Sequence, residues 1–514
     1  MKGERAPTRV ACLLVPELPA AAQLRAEPEL AGRPFAVVSD ASGRAVVLSV
    51  SSEAVRRGVY TGAALSRARA VCSELVVRVA QPALERAARA ALLDVALSAS
   101  PRAMADAPQG GASAVVLDAS GLGRVFASEA ALASALVERA REQGLPAVAS
   151  VAASRALALV PARDAVRDGA GATRIVAPGA ETAYLAPLSV DLLAPDDATA
   201  ELLTRFGIYR LGALLALAPA AVATRLGAPL ADALAALRGA RREPPIPAPR
   251  VLRIEESLAV DVPIGEIEPF LFVLGNVLSR VFARLALRHL ACVTLEIDLA
   301  LDTASTESTG AGRHALRLSL AAPSTDARVW LRRVRLALER DPPRAPIAAV
   351  CVATEGRPAR RDQLDLFRPA GPAPAALDAL VAELELLCGE GRVGSPRLPD
   401  DHHPDAILLA PFLPTQRAPT EAQISLPSLA LRALRPPLPV HVHLRAGRPE
   451  SLRSALANGD VVRCAGPWRT TGGWWTETSR FAFDSYDVAT SDGQLVRLRH
   501  DLLRDRWHID AAYD

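Results

Sequence analysis

Apolar residues recur along this chain in short runs set between turn formers, and the first three runs predict a sheet. Arg9 to Val15, Pro34 to Ser39 and Ala45 to Val50 have Pro, Gly, Asp or Ser close to their ends, as buried strands do. An Ala/Leu-rich helix is predicted from Pro82 to about Ser98, then a strand at Ser113 to Asp118. A helix near Glu129 to Gln143 and a strand at Ala147 to Ala152 complete an α/β domain ending near residue 170.

From Ala180 to Ala240 the periodicity is helical. Within it, Phe206-Gly207-Ile208 separates two short helices as in a helix-hairpin-helix. Such a turn suits nucleic acid, because glycine lets a phosphate approach the backbone and the next helix presents N–H groups at its positive end. A plain helix C-cap accounts for the same residues equally well. Beyond the Pro-rich linker Arg242 to Pro249 the order is strand (Val251 to Leu258), helix (Ile267 to His289), strands (Cys292 to Leu299, Ala315 to Leu320), helix (Asp326 to Glu339) and strand (Ile347 to Thr354). That is the split β-α-β-β-α-β unit. Val293, Leu295 and Ile297 alternate with Thr294, Glu296 and Asp298, which predicts one buried and one wet face.

Arg280, Arg284 and Arg288 repeat every four residues on one helix face, and Arg328, Arg332, Arg333 and Arg335 crowd the next helix. A solvated face is the ordinary meaning of such stripes, and a nucleic-acid surface the functional one. Residues 356 to 435, rich in Pro, Ala and Arg, read as linker. The C-terminal end is β-rich and holds Trp468, Trp474, Trp475 and Trp507, which fit a domain core better than a base-stacking platform; the Trp474-Trp475 neighbourhood is a candidate partner contact.

Length and charge narrow the class. At 514 residues the chain exceeds one core and implies several domains. No uninterrupted apolar run of about 18 residues and no signal-peptide core are visible, so a cytoplasmic protein without membrane contact is expected. A net charge of +3 does not decide for or against a polyanionic partner. Cys12, Cys72, Cys292, Cys351, Cys388 and Cys464 lack any C-x-x-C pair, which fits reduced thiols and indicates no zinc site.

Taken in order, the first 360 residues resemble a Y-family (translesion) DNA polymerase: palm and fingers, a helix-hairpin-helix thumb and a little finger. Pro28 to Val37 is similar to the stretch after that family's first metal motif, Ser51-Ser52-Glu53-Ala54 with Arg57-Gly58-Val59 to its fingers motif, and Leu117-Asp118-Ala119-Ser120-Gly121 to the end of its second metal motif. The resemblance implies carboxylates holding two Mg²⁺ ions. Counted from these motifs, however, the carboxylate positions fall on Leu14, Pro16, Ser113 and Ala114, and the triphosphate-gripping tyrosine and arginine on Ser52 and Val55. Glu17 points off the shared strand face, and Asp118, about 13 Å along the strand from Ala114, reads as a turn residue. The expectation is therefore no catalytic residue, no metal ligand, no cofactor and no enzyme activity of its own.

Gln363-Leu364-Asp365-Leu366-Phe367 resembles the bacterial β sliding-clamp-binding pentapeptide, with Gln363 for a pocket rim and Leu364, Leu366 and Phe367 for apolar pockets. The expected architecture is multidomain α/β: palm and fingers (1–172), thumb (173–242), little finger (250–356), linker with the clamp motif (357–435) and a small β-rich domain (436–514). Resemblance to a non-catalytic member of the family implies a clamp-tethered adaptor partnered by an error-prone C-family DNA polymerase, a RecA-like accessory protein and primer-template DNA. Phe206, Gly207, Ile208, Arg280, Arg284, Arg288, Arg332 and Arg333 are the candidate DNA contacts. An active translesion polymerase and a DNA-independent scaffold are the alternatives.

Overall fold

The computed structural model describes residues 8–42, 44–106, 111–240, 243–249, 253–302, 312–358, 374–389, 391–400, 403, 406–410, 430–475 and 480–513. Two compact units divide the chain, Met1–Leu386 and Leu387–Asp514. The first begins with β1 (Val10–Val15) and α1 (Leu18–Ala26), followed by β2 (Phe35–Val38), β3 (Val47–Val50), α2 (Ser52–Arg56), α3 (Leu65–Val71) and β4 (Val76–Val79). Strands β3-β2-β4 form a small sheet of their own, the fingers-like part. The palm continues through α4 (Pro82–Leu97), β5 (Ala103–Ala105), β6 (Ser113–Asp118), α5 (Glu129–Glu142), β7 (Val148–Ala152), α6 (Arg155–Asp168) and β8 (Thr173–Ile175).

The palm sheet has the order β5-β6-β1-β7-β8. Its central strand reads as an unbroken apolar run because both faces are covered. Ala11, Leu13 and Val15 pack with α1, α4 and α5, whereas Cys12 and Leu14 pack toward α6 and the thumb helices. Those helices are α7 (Glu181–Leu185), α8 (Asp197–Arg205), α9 (Leu211–Leu215), α10 (Pro219–Leu226) and α11 (Ala228–Leu237).

The little finger follows the expected order: β9 (Arg253–Ile264), α12 (Ile267–Leu287), β10 (Leu290–Leu301), β11 (Arg313–Ser324), α13 (Ala327–Arg340) and β12 (Ile347–Pro358). Its sheet runs β11-β10-β12-β9, with both helices on one face. Helix α12 has the length and composition to cross a bilayer. Its Phe270, Leu274, Val277, Leu278, Val281 and Leu285 are spent on the core beneath the sheet, against Leu295, Ile297, Val350 and Trp330. Val293, placed by alternation on the buried face, instead lines a shallow cleft on the open face with Thr294 and Arg317. A bulge between Cys292 and Thr294 resets the pleat, so Cys292 turns inward.

Where a linker was expected, α14 (Pro374–Cys388) forms. Leu377, Leu380, Val381, Leu384 and Leu387 supply the helical spacing that the Pro/Ala-rich composition obscured. The second unit contains β13 (Ser395–Arg397) and β14 (Leu408–Ala410), then β15 (Leu431–Pro439), β16 (His441–Arg445), β17 (Arg448–Arg453), β18 (Asn458–Gly472), β19 (Phe481–Thr490), β20 (Leu495–Asp501) and β21 (Arg506–Tyr513). The last seven form one sheet in the order β15-β21-β20-β19-β18-β17-β16 over a core that includes Tyr486, Val488, Leu498 and Ile509. Trp507 stacks on His500 at 4.2 Å, as a core-side aromatic should. Trp474 and Trp475 do the opposite: they meet edge to face at 5.6 Å and stand 78% and 68% exposed.

Candidate functional site: the palm face and its surroundings

Strand register shows which side chains share the palm face with Leu14 and Ala114, the positions on which the resemblance would put metal carboxylates. Antiparallel pairing sets Leu14 directly opposite Ala114 and Val15 opposite Ser113. Leu14 and Ala114 are both buried and lie in one apolar cluster with Cys12 and Val116. A pair of cross-strand positions about 5 Å apart is the arrangement that converging carboxylates would need, but a leucine and an alanine hold it. Hard divalent cations take oxygen ligands, and neither side chain has one. The residues present therefore do not fit Mg²⁺, and among the described residues no cluster of three or more His, Cys, Asp or Glu could hold a metal.

The neighbouring acids are committed elsewhere. The Ser49 hydroxyl donates to Glu17 Oε2 at 2.6 Å, tying that carboxylate to β3. Burial raises its pKa, against the opposing effect of the Ser49 and Val50 hydrogen bonds. Asp118 Oδ1 accepts the Ser120 N–H at 2.9 Å and so stabilises the turn into Gly121, which has φ +79°. In the fingers-like part, at the two positions on which the resemblance would put the triphosphate-gripping pair, Ser52 bonds Glu53 on the surface and Val55 is exposed.

One acid escaped the sequence reading. Asp106 follows β5, and its N–H donates to the Ala114 carbonyl at 2.8 Å, which extends the row Leu14, Ala114 by one strand. Alternation from Met104, which packs on the same cluster, points Asp106 to the same face. Its carboxylate is bound by Arg155 at the start of α6. Burial first, and the Asp106 charge second, push the Cys12 thiol up to about 12, so it stays protonated. The only sequence signal for Asp106 was the three-residue alternation Met104-Ala105-Asp106, too short to read as a strand.

The arginine stripe of α12 is corrected by the structure. Arg284 has 1% side-chain exposure, Arg280 10% and Arg288 15%, so none of them offers a solvated cationic face. Arg284 Nε reaches Asp94 on α4 at 2.7 Å and its Nη1 reaches Glu256 on β9 at 2.9 Å. Arg288 also binds Asp94, at 3.3 Å, and Arg280 binds Glu256, at 3.3 Å. Arg25 on α1 makes a two-pronged pair with Glu256 at 2.7 and 2.8 Å. Burial alone would raise the pKa of Glu256; Arg25, Arg284 and Arg280 overcome it and hold the carboxyl at about 2. A depressed carboxyl contributes stability that is complete above its ordinary value of 4.5 and lost as pH falls toward 2. Acid unfolding followed by circular dichroism should therefore show unit 1 weakening across that window, and less so in Glu256→Gln.

Of the remaining candidate arginines, one is buried and one is paired on the surface. Arg333 is buried at 7% exposure, and Arg332 on α13 bonds Glu383 on α14. At the thumb turn, Gly207 has φ +71° and caps α8, its N–H donating to Thr204 at 3.0 Å and that of Ile208 to Leu203 at 2.9 Å. The first N–H groups of α9, Leu211 and Gly212, are taken by the Leu188 and Ala186 carbonyls. The turn is thus a glycine C-cap with its donors spent, although Phe206 is half exposed. The clamp-like peptide Gln363 to Phe367 lies outside the described residues.

Comparison with known proteins agrees with this layout. A model of the impB/mucB/samB family matches residues 15–163, the palm and fingers elements. Protein ImuB of Caulobacter vibrioides, in strains NA1000 / CB15N and ATCC 19089 / CIP 103742 / CB 15, is 28% identical over 434 residues, which is 81% of this chain and 89% of the relative. Among solved structures, DinB from Sulfolobus solfataricus matches with 14% identity and a TM-score of 0.38 over 68% of this chain and 100% of that one. A post-insertion binary complex of Dbh DNA polymerase matches with 13% identity and a TM-score of 0.40 over the same shares. The family match on the palm and fingers, together with a relative aligned over most of both chains, makes this chain similar to the impB/mucB/samB family and to ImuB.

Proposed function

We propose that this chain is a catalytically inactive Y-family homologue that works as a sliding-clamp-tethered adaptor in error-prone translesion DNA synthesis, within the DNA damage response. The observation that carries the reading is the registered Leu14–Ala114 pair, buried where the family's metal carboxylates would converge. Without ligands for Mg²⁺ the palm has no means of activating a 3′ hydroxyl, so synthesis falls to a partner. The chain's contribution is positional. Gln363 to Phe367 would anchor the bacterial β clamp, and the exposed Trp474–Trp475 pair supports a protein contact in the second unit. An error-prone C-family polymerase and a RecA-like accessory protein are the partners this reading implies.

Primer-template DNA would be held by cations other than those of α12. Arg225 on the thumb and Arg313 and Arg317 on the open little-finger face are exposed, although Asp298 and Glu296 stand beside the latter two and moderate the field. The test is reconstituted bypass of a template lesion by a C-family polymerase and clamp. Adding this chain is expected to raise full-length product several-fold; unchanged product at saturating protein would contradict the adaptor role.

A further inference from the structure

The six charged side chains between palm and little finger do something the proposed function does not require. We infer that they form a pin that holds the little finger at one fixed position on the helical face of the palm, so that the two move as a single rigid body. Arg25 and Asp94 come from α1 and α4; Glu256, Arg280, Arg284 and Arg288 come from β9 and α12. Leu258 and Leu287 of the little finger pack on the same palm core, supplying attraction without direction. Direction comes from the charges. Two carboxylates serve four guanidiniums: Asp94 of the palm is bonded across the junction by Arg284 and Arg288, and Glu256 by Arg25 from the palm and by Arg280 and Arg284 from its own domain.

A slide of even one helical turn would leave Asp94 or Arg25 buried without a partner, which is costly in a low-dielectric junction. Few other placements satisfy all six groups, so the network selects a geometry rather than merely adding attraction. The pinned face is also opposite the one that carries Leu14 and Ala114, since α1, α4 and α5 cover the other side of β1. A consequence follows for the tether, and this part rests on the clamp reading above. Glu256 pairs in register with Val352 of β12, and β12 ends at Pro358, five residues before Gln363. The root of the clamp peptide is thereby held at a constant distance from the palm.

Pulsed electron-spin distance measurements on the full chain test this. Nitroxides would be placed at Val125→Cys on the palm side and Phe272→Cys on α12, both exposed, with the exposed Cys388 changed to Ser. The pin predicts one narrow distance distribution that does not shift when duplex DNA is added, and a distribution at least twice as broad in Arg284→Met. Because Arg284→Met could disturb folding, Glu256→Gln is measured in parallel, with circular dichroism to confirm retained helix; broadening in either folded variant supports the pin. A broad distribution in the unsubstituted protein, a shift on adding DNA, or narrow distributions in both folded variants would overturn it.

Discussion

Replacing Arg284 by Met is expected to destabilise the first unit by about 3–5 kcal/mol, a large fraction of the stability of an ordinary domain. The substitution keeps the apolar stem roughly in place, so loss of packing is not the main cost. What changes is the charge balance. Asp94 and Glu256, each about 1% exposed, lose their shared guanidinium, and Arg288, Arg280 and Arg25 compensate them only in part. The contrast is Arg332→Ala. Arg332 is 67% exposed and pairs with Glu383 on the surface, so its loss should cost less than about 1 kcal/mol. Urea denaturation of both variants measures the difference, and similar costs would mean that the α12 network is not special.

The second large effect is expected at the clamp peptide. Changing Gln363, Leu366 and Phe367 together to Ala should weaken binding to the β clamp at least 100-fold, equivalent to about 2.7 kcal/mol or more. The size follows from the chemistry of such anchors: the two apolar side chains each bury a pocket-filling surface, and the glutamine supplies the rim hydrogen bond. Titration of labelled protein with clamp, read by fluorescence anisotropy, checks it. Binding that is indifferent to the three substitutions would place the tether elsewhere in the chain. Global folding should be untouched, because the peptide follows the last little-finger strand.

The arrangement of elements was largely legible because it depends on local patterns. The apolar runs of Val10–Val15 and Ser113–Asp118 and the strand-helix alternation of the little finger carry their own periodicity. The expectation that the metal carboxylates are missing needs only a count from Pro28 and Leu117, and the register of Leu14 with Ala114 puts two of the counted positions side by side. What a one-dimensional pattern cannot contain is the surface that a side chain meets. Spacing every four residues put Arg280, Arg284 and Arg288 on one face, but Asp94, the counter-ion of Arg284 and Arg288, lies 190 residues before Arg284. A stripe meant for water and a stripe meant for a buried junction have the same spelling. Asp106 was missed because β5 is three residues long, and Val293 because a bulge reverses the alternation that placed it inside. At Gly207 the turn was found, but its donors proved to be spent on the α8 carbonyls.

The central claim, that this palm does no chemistry, is tested most directly by primer extension with the purified chain alone on a primed template, in Mg²⁺ and separately in Mn²⁺. The buried Leu14 and Ala114 predict no added nucleotide above background in either metal. Extension that depends on the metal and persists through repeated purification would contradict the account and make the chain a polymerase with ligands outside the register described above.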